Sequence, residues 1–221
     1  MFIWLIFAWS ISGAANTLVV VSLDGFRWNY LDKPEAVTLK ALAEQGVRVT
    51  RLKTVYPSKT FPAHLSLATG LPPTGHGIVD NYFCRSDRPD CYIMGSGAKD
   101  SSWMAGTPLW TLVEQQGGKA FTFFWPESDA TFAGVKPSEF RLYDSRVPYS
   151  DRVQQVIRWL EGSPLARPDL VTLYFSSVDS AGHTYGPDAP ETAAAIANVD
   201  LWVGKLWDGI QRINNLDTGA L

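Results

Sequence analysis

Thr17–Leu23 reads TLVVVSL and is followed at once by Asp24-Gly25. A short apolar run rich in β-branched residues, with no polar alternation and an abrupt Asp-Gly stop, predicts a strand buried on both faces. Leu170–Ser176 (LVTLYFS) repeats the pattern far along the chain. Helical spacing lies between and after these runs. Glu35–Gln45 carries Val37, Leu39, Leu42 and Ala43 at helical spacing and stops at Gly46, and Phe61–Thr69 stops at Gly70 before Pro72-Pro73. Pro108–Gln116, Asp151–Leu160 and Pro190–Ile213 also read as helices. Val47–Val55 alternates as a further strand, and Ala120–Trp125 reads as another buried one. Buried strands alternating with helices predict a doubly wound α/β fold, a mostly parallel sheet with helices on both faces. Ligands of such sheets bind beyond the carboxyl ends of the strands, where Asp24 and Asp179 fall.

The composition narrows the function classes. With 221 residues, 46% hydrophobic and 19% charged, the chain can bury a sizeable core, which excludes disorder. A net charge of −3 provides no basic footprint for a nucleic-acid scaffold. A phosphate-bearing ligand would therefore need a local attractor, and metal ions are the obvious one. Phe2–Trp9 is apolar and is followed by small residues up to Ala15. As a helix the run would span about 12 Å against a hydrocarbon core of about 30 Å, so it reads as a signal peptide cleaved after Ala15. An uncleaved anchor and a buried first strand are the alternatives. The expected organisation is a signal peptide at 1–15 and a catalytic portion at 16–221, in a secreted, periplasmic or extracellular protein. Cys84 and Cys91 are the only cysteines; they either close a small disulfide or remain two thiols.

Four places carry residues suited to chemistry. Asp24 follows the first strand, where a plain turn aspartate is also common. Thr60, in SKTFPAH (58–64), stands at the start of a predicted helix. The bland reading is an N-cap threonine. The functional one is a hydroxyl beside unpaired N–H groups and the positive end of a helix dipole, a seat for phosphate. Asp179 and His183, four apart in VDSAGH, supply a carboxylate and an imidazole, both zinc donors, with Gly182 expected to relax the backbone between them. An N-cap aspartate with an unrelated histidine is the alternative. Asn81 follows a Gly-rich loop and is either a turn residue or an amide donor to a phosphoryl oxygen.

Taken in order, LDGFR (23–27), SKTFPAH with TGLPPTGHGIVDN (69–81), and LYFSSVDSAGHTYGP (173–187) resemble the nucleotide pyrophosphatase/phosphodiesterase family of the alkaline phosphatase superfamily. The resemblance covers roughly Thr17 to Ile213. It implies an alkaline-phosphatase-like fold and hydrolysis of nucleotide phosphodiester or pyrophosphate bonds by a two-zinc enzyme through a phosphothreonine. Thr60 would be the nucleophile and would share one zinc with Asp24. Asp179 and His183 would hold the second zinc. Asn81 and the Phe61 N–H would hold the phosphoryl group, and Phe61 and Tyr174 would sandwich the base. His64 and His76 match no ligand position and are expected to pack. The family places three more metal ligands, an Asp-His pair and a histidine, further along than Leu221, so the chain reads as the N-terminal part of the catalytic domain with an incomplete metal site. A lysophospholipid or choline phosphodiesterase and a non-catalytic binding homologue are the competing functions.

Metal activation suits a threonine nucleophile energetically. Zinc lowers the pKa of bound water from about 15.7 to about 7, on the order of 11 kcal/mol. General-base help supplies only about 3–5 kcal/mol.

Overall fold

The computed structural model describes residues 3–8, 17–163 and 165–218. They fall into two compact units. The first takes the residues through Lys53, Asp144–Pro168 and Leu173 onward; the second takes Thr54–Tyr143 and Asp169–Thr172.

In the first unit, β1 (Ile3–Ala8) runs antiparallel to β2 (Leu18–Leu23), with Ile3 opposite Leu23. The backbone at Ile3–Ala8 is thus that of a strand, while the cleavage expected after Ala15 lies outside the described residues. The end of β7 (Leu170–Phe175) is the neighbour of β2 on its other side. Every residue of β7 is buried, as its unbroken apolar run predicts. Helices α1 (Val37–Gln45), α5 (Tyr149–Leu160), α6 (Ser177–Tyr185) and α7 (Pro190–Thr218) complete the unit, with α7 packed against the other three. Helix α1 has no cap of its own at Ala36. Asp200 of α7 takes that role, accepting from Thr38 N–H at 3.0 Å and Leu39 N–H at 2.8 Å. A carboxylate on the orphan N–H groups also meets the positive end of the helix dipole.

The second unit contains α2 (Thr60–Thr69), α3 (Pro73–His76), the hairpin β3 (Tyr82–Cys84) and β4 (Cys91–Ile93), α4 (Leu109–Gln115), β5 (Ala120–Phe123) and β6 (Glu139–Arg141). Its sheet order is β7-β5-β6, through the first residues of β7, and β5 and β6 are parallel. The mostly parallel α/β sheet is therefore as the strand pattern predicts. In the hairpin, Phe83 and Tyr92 turn inward against Trp103, while Arg88 lies 3.9 Å above the same indole. Cys84 and Cys91 are cross-strand partners and form a disulfide. Replacing both by serine is expected to cost about 2–3 kcal/mol, the loop-closure entropy of so short a loop. The check is the denaturant midpoint of the double variant against the parent, and an unchanged midpoint would refute it.

One expected strand is absent. Val47–Val55 has no regular structure, and Val47 and Val49 are 88% and 65% exposed. Alternation makes a strand only when an edge offers hydrogen bonds and a core takes the apolar face, and this segment has neither.

Candidate functional site

In the first unit, the ends of β2 and β7 bring two carboxylate-bearing segments together. Asp24 is 1% exposed; its N–H donates to Phe175 O at 2.9 Å, and its Oδ2 accepts from the Tyr174 hydroxyl at 2.6 Å. Gly25 then turns the chain with φ +71°, and a Cβ there would lie 2.5 Å from Asp179 Cα and 2.7 Å from Asp179 N. Only a residue without a side chain permits this approach, so the Asp24-Gly25 turn rests directly on the backbone of Asp179. Further along, Arg27 of the same motif pairs with Asp188 at 2.7 Å, and Tyr30, just beyond it, donates its hydroxyl to Pro187 O at 2.6 Å. The LDGFR segment is thereby stitched to both ends of α6.

Asp179 and His183 both lie within α6, one turn apart, with His183 Nε2 3.4 Å from Asp179 Oδ1. Helical spacing places i and i+4 side chains on one face, so the pair converges without help from Gly182, whose backbone is helical. The expectation that Gly182 relaxes the chain is corrected accordingly. The His183 side chain is 81% exposed. The α6 N-terminus is capped from α5: the Tyr149 hydroxyl accepts from Ser176 N–H at 3.1 Å and Ser177 N–H at 2.7 Å. Tyr149 carries no sequence signal, since the helical pattern predicted there begins only at Asp151.

In the second unit, Thr60 is the first residue of α2, half-buried, with extended Lys59 before it. The next N–H, that of Phe61, donates to Asn81 Oδ1 at 3.0 Å. The structure thus joins the residues expected to hold a phosphoryl group, although the two bond to each other. Asp80 braces the pair. It accepts from Lys59 Nζ at 2.7 and 2.9 Å and from Asn81 N–H at 2.6 Å, and the lysine holds its carboxyl below the ordinary range.

Neither histidine of this unit is placed for catalysis. His64 is fully buried, with Nδ1–H donating to Thr60 O at 2.7 Å and its ring edge-on to Trp125. His76 is also fully buried: Nδ1 accepts from Ile78 N–H at 3.2 Å, which leaves Nε2–H to donate to Ser66 Oγ at 2.9 Å. Burial pushes its pKa down, so it stays neutral.

Tyr174 corrects another expectation. It is 6% exposed inside β7 and its hydroxyl is committed to Asp24, so it presents no face for a base to stack on. Phe61 remains half-buried beside Thr60, its ring edge-on to Tyr92.

Carboxylates, an imidazole and a hydroxyl are the hard and borderline donors that zinc takes. Asp179 with His183 fits as a partial donor set within the first unit, and Asp24 and Thr60 each offer a donor of the right kind; among the described residues no group of three or more His, Cys, Asp or Glu side chains gathers. No helix among them is long and apolar enough to cross a membrane.

Residues 18–220 match the family model of type I phosphodiesterase / nucleotide pyrophosphatase. Human ectonucleotide pyrophosphatase/phosphodiesterase family member 1 is 38% identical over 199 residues, covering 89% of this chain and 22% of that protein. A venom phosphodiesterase of Crotalus durissus collilineatus is 36% identical, with 90% and 24% covered. The chain therefore spans about a quarter of the length of these curated relatives. The structure of murine ectonucleotide pyrophosphatase/phosphodiesterase 5, as an inactive threonine-to-alanine variant in complex with AMP, superposes with a TM-score of 0.80 at 30% identity, covering 88% of this chain and 52% of that one. Its human counterpart gives 0.82. The fold is the alkaline-phosphatase-like one expected.

Proposed function

Because the chain belongs to the type I phosphodiesterase / nucleotide pyrophosphatase family, we propose that it supplies the nucleophile, and part of the metal-binding set, of an exported enzyme that hydrolyses nucleotide phosphodiester or pyrophosphate bonds through a phosphothreonine. One observation carries this reading. Thr60 opens α2, and the next N–H is already bonded to the Asn81 side chain, so a hydroxyl, a helix N-terminus and an amide share one place. The inactive threonine variant of the murine relative, with AMP bound, supports both the nucleophile and the substrate class.

In the first step Thr60 Oγ attacks phosphorus. The Oγ–P bond forms, the P–O bond to the leaving group breaks, and the hydroxyl proton leaves to the departing oxygen or to solvent. Water then attacks phosphorus: its hydroxyl joins phosphorus, the Oγ–P bond breaks, and the remaining water proton returns to Thr60 Oγ. Asn81, whose Oδ1 faces Phe61, has its NH2 as the donor end for a phosphoryl oxygen. Phe61 offers a flank for a base, with Tyr174 no longer its partner. Asp24, Thr60, Asp179 and His183 would serve as zinc ligands, Asp179 and His183 together on one ion. When bound, zinc supplies charge neutralisation and a lowered hydroxyl pKa. Export agrees with the Cys84–Cys91 disulfide and with relatives that are ectoenzymes and venom proteins.

The test is hydrolysis of the p-nitrophenyl ester of thymidine monophosphate by the complete protein. Activity should be lost on chelation, return with Zn2+, and exceed that on p-nitrophenyl phosphate by about 100-fold or more, the scale of one well-used binding contact. Activity indifferent to chelator would overturn the metal role. Choline phosphodiesters cleaved at higher kcat/KM would move the substrate class to lysophospholipids.

A further inference from the structure

The Tyr174 hydroxyl plays no part in the chemistry above, yet it is spent on one of its carboxylates. The bond to Asp24 Oδ2, at 2.6 Å and 150 residues apart in sequence, joins two buried side chains. A hydroxyl donated at this distance fixes the plane of the carboxyl group that accepts it.

Tyr174 is itself held rigidly. Its carbonyl accepts from Arg152 Nη1 at 3.0 Å, and the buried Arg152 side chain is fastened through Nε to Val147 O at 3.1 Å and lies 4.7 Å from the Tyr149 ring. Tyr149 in turn caps α6, the helix that carries Asp179 and His183. The first turn of α5 therefore supports both carboxylate-bearing segments, and Tyr174 is the arm that reaches Asp24.

We propose that Tyr174 is a positioning residue of the metal site, its phenol orienting the Asp24 carboxylate for coordination. The proposal rests on the reading of Asp24 as a metal ligand. Hydrogen-bond partners of metal-ligating side chains typically contribute 10–100-fold to metal affinity, because a ligand already in place needs no reorganisation on binding.

Tyr174→Phe removes one oxygen and keeps the ring. In the complete protein this variant should bind Zn2+ about 10–100-fold more weakly in competition with a chromophoric chelator. It should also change the visible absorption spectrum of the Co2+-loaded form, which reports the geometry of the ligands. A bond that served only to join β2 to β7 would lower the melting temperature of the metal-free protein and leave affinity and spectrum as in the parent; that result overturns the proposal. If the parent protein binds no metal, or Asp24→Asn binds it as well as the parent, the metal reading of Asp24 falls and the proposal with it. If Tyr174→Phe does not fold, 3-fluorotyrosine at position 174, studied where its phenol is protonated, keeps the bond and strengthens the donor. The Co2+ spectrum and the affinity should then both shift, and no change in either would refute the role.

Discussion

Thr60→Ala in the complete protein should lower kcat/KM for phosphodiester hydrolysis by about 10⁴–10⁶-fold, the scale on which removal of a nucleophile is felt. The fold gives a clean experiment. Thr60 is the first residue of α2, half-buried, and stands one position inside the N-cap, which is Lys59. Its backbone carbonyl accepts from His64 Nδ1, a bond that survives the substitution. Alanine is the better helix former, so stability should change by no more than about 0.5 kcal/mol. Thr60→Ser keeps the hydroxyl and should recover most of the activity. Steady-state kinetics with a p-nitrophenyl nucleotide ester, alongside thermal melting, decide the matter. Activity of Thr60→Ala within tenfold of the parent would remove Thr60 from the chemistry.

Gly25→Ala is expected to damage both stability and catalysis. The residue sits at φ +71°, which costs a non-glycine residue about 1–2 kcal/mol. The added methyl would also lie 2.5, 2.7 and 2.9 Å from Asp179 Cα, N and Cβ, the first two of them backbone atoms that cannot rotate away. Either the turn after Asp24 or the first turn of α6 must move. With overpacking at about 1–3 kcal/mol, the total should reach about 3 kcal/mol in denaturant unfolding. A displacement of about 1 Å at a positioned carboxylate is worth about 10²-fold in rate. Gly209→Ala is the control: its methyl meets the Ile157 side chain at 2.6 Å, between α7 and α5. That variant should lose some stability while its folded fraction keeps the parent rate. Equal rates for the two variants would show that the contact between Gly25 and Asp179 does not matter to catalysis.

The framework was legible because burial leaves a periodic trace. Leu18–Leu23 and Leu170–Phe175 are buried on both faces and so read as unbroken apolar runs; α2, α4 and α7 lie within a few residues of their predicted ends. The hairpin strands and β6 have three residues each, too few for any period to show. Val47–Val55 misled for the opposite reason, since it has the period but no edge to pair with. Among the candidate site residues, Asp24, Thr60, Asp179, His183 and Asn81 stood out as polar groups in or beside the motifs that follow the predicted strands and open the predicted helices. Tyr149 and the true place of Tyr174 did not, because their contacts join residues 27 or more apart and depend on tertiary geometry alone. Tyr174 shows the limit most plainly: an aromatic in a strand looks the same in sequence whether it offers a ring to a ligand or a hydroxyl to a buried carboxylate.

The bond between Phe61 N–H and Asn81 Oδ1 sets an entry threshold for whatever approaches Thr60. An incoming oxygen that wants this N–H must replace an acceptor already in place. A neutral acceptor offers the same net worth, about 0.5–1.5 kcal/mol, and gains nothing by the exchange. An anionic phosphoryl oxygen offers about 1.5–3 kcal/mol and takes the donor. If Thr60 acts on phosphorus as proposed, carboxylic esters and phosphotriesters would gain nothing from this N–H, whereas an anionic phosphoryl oxygen would, and the preference would rest on charge before any question of fit arises.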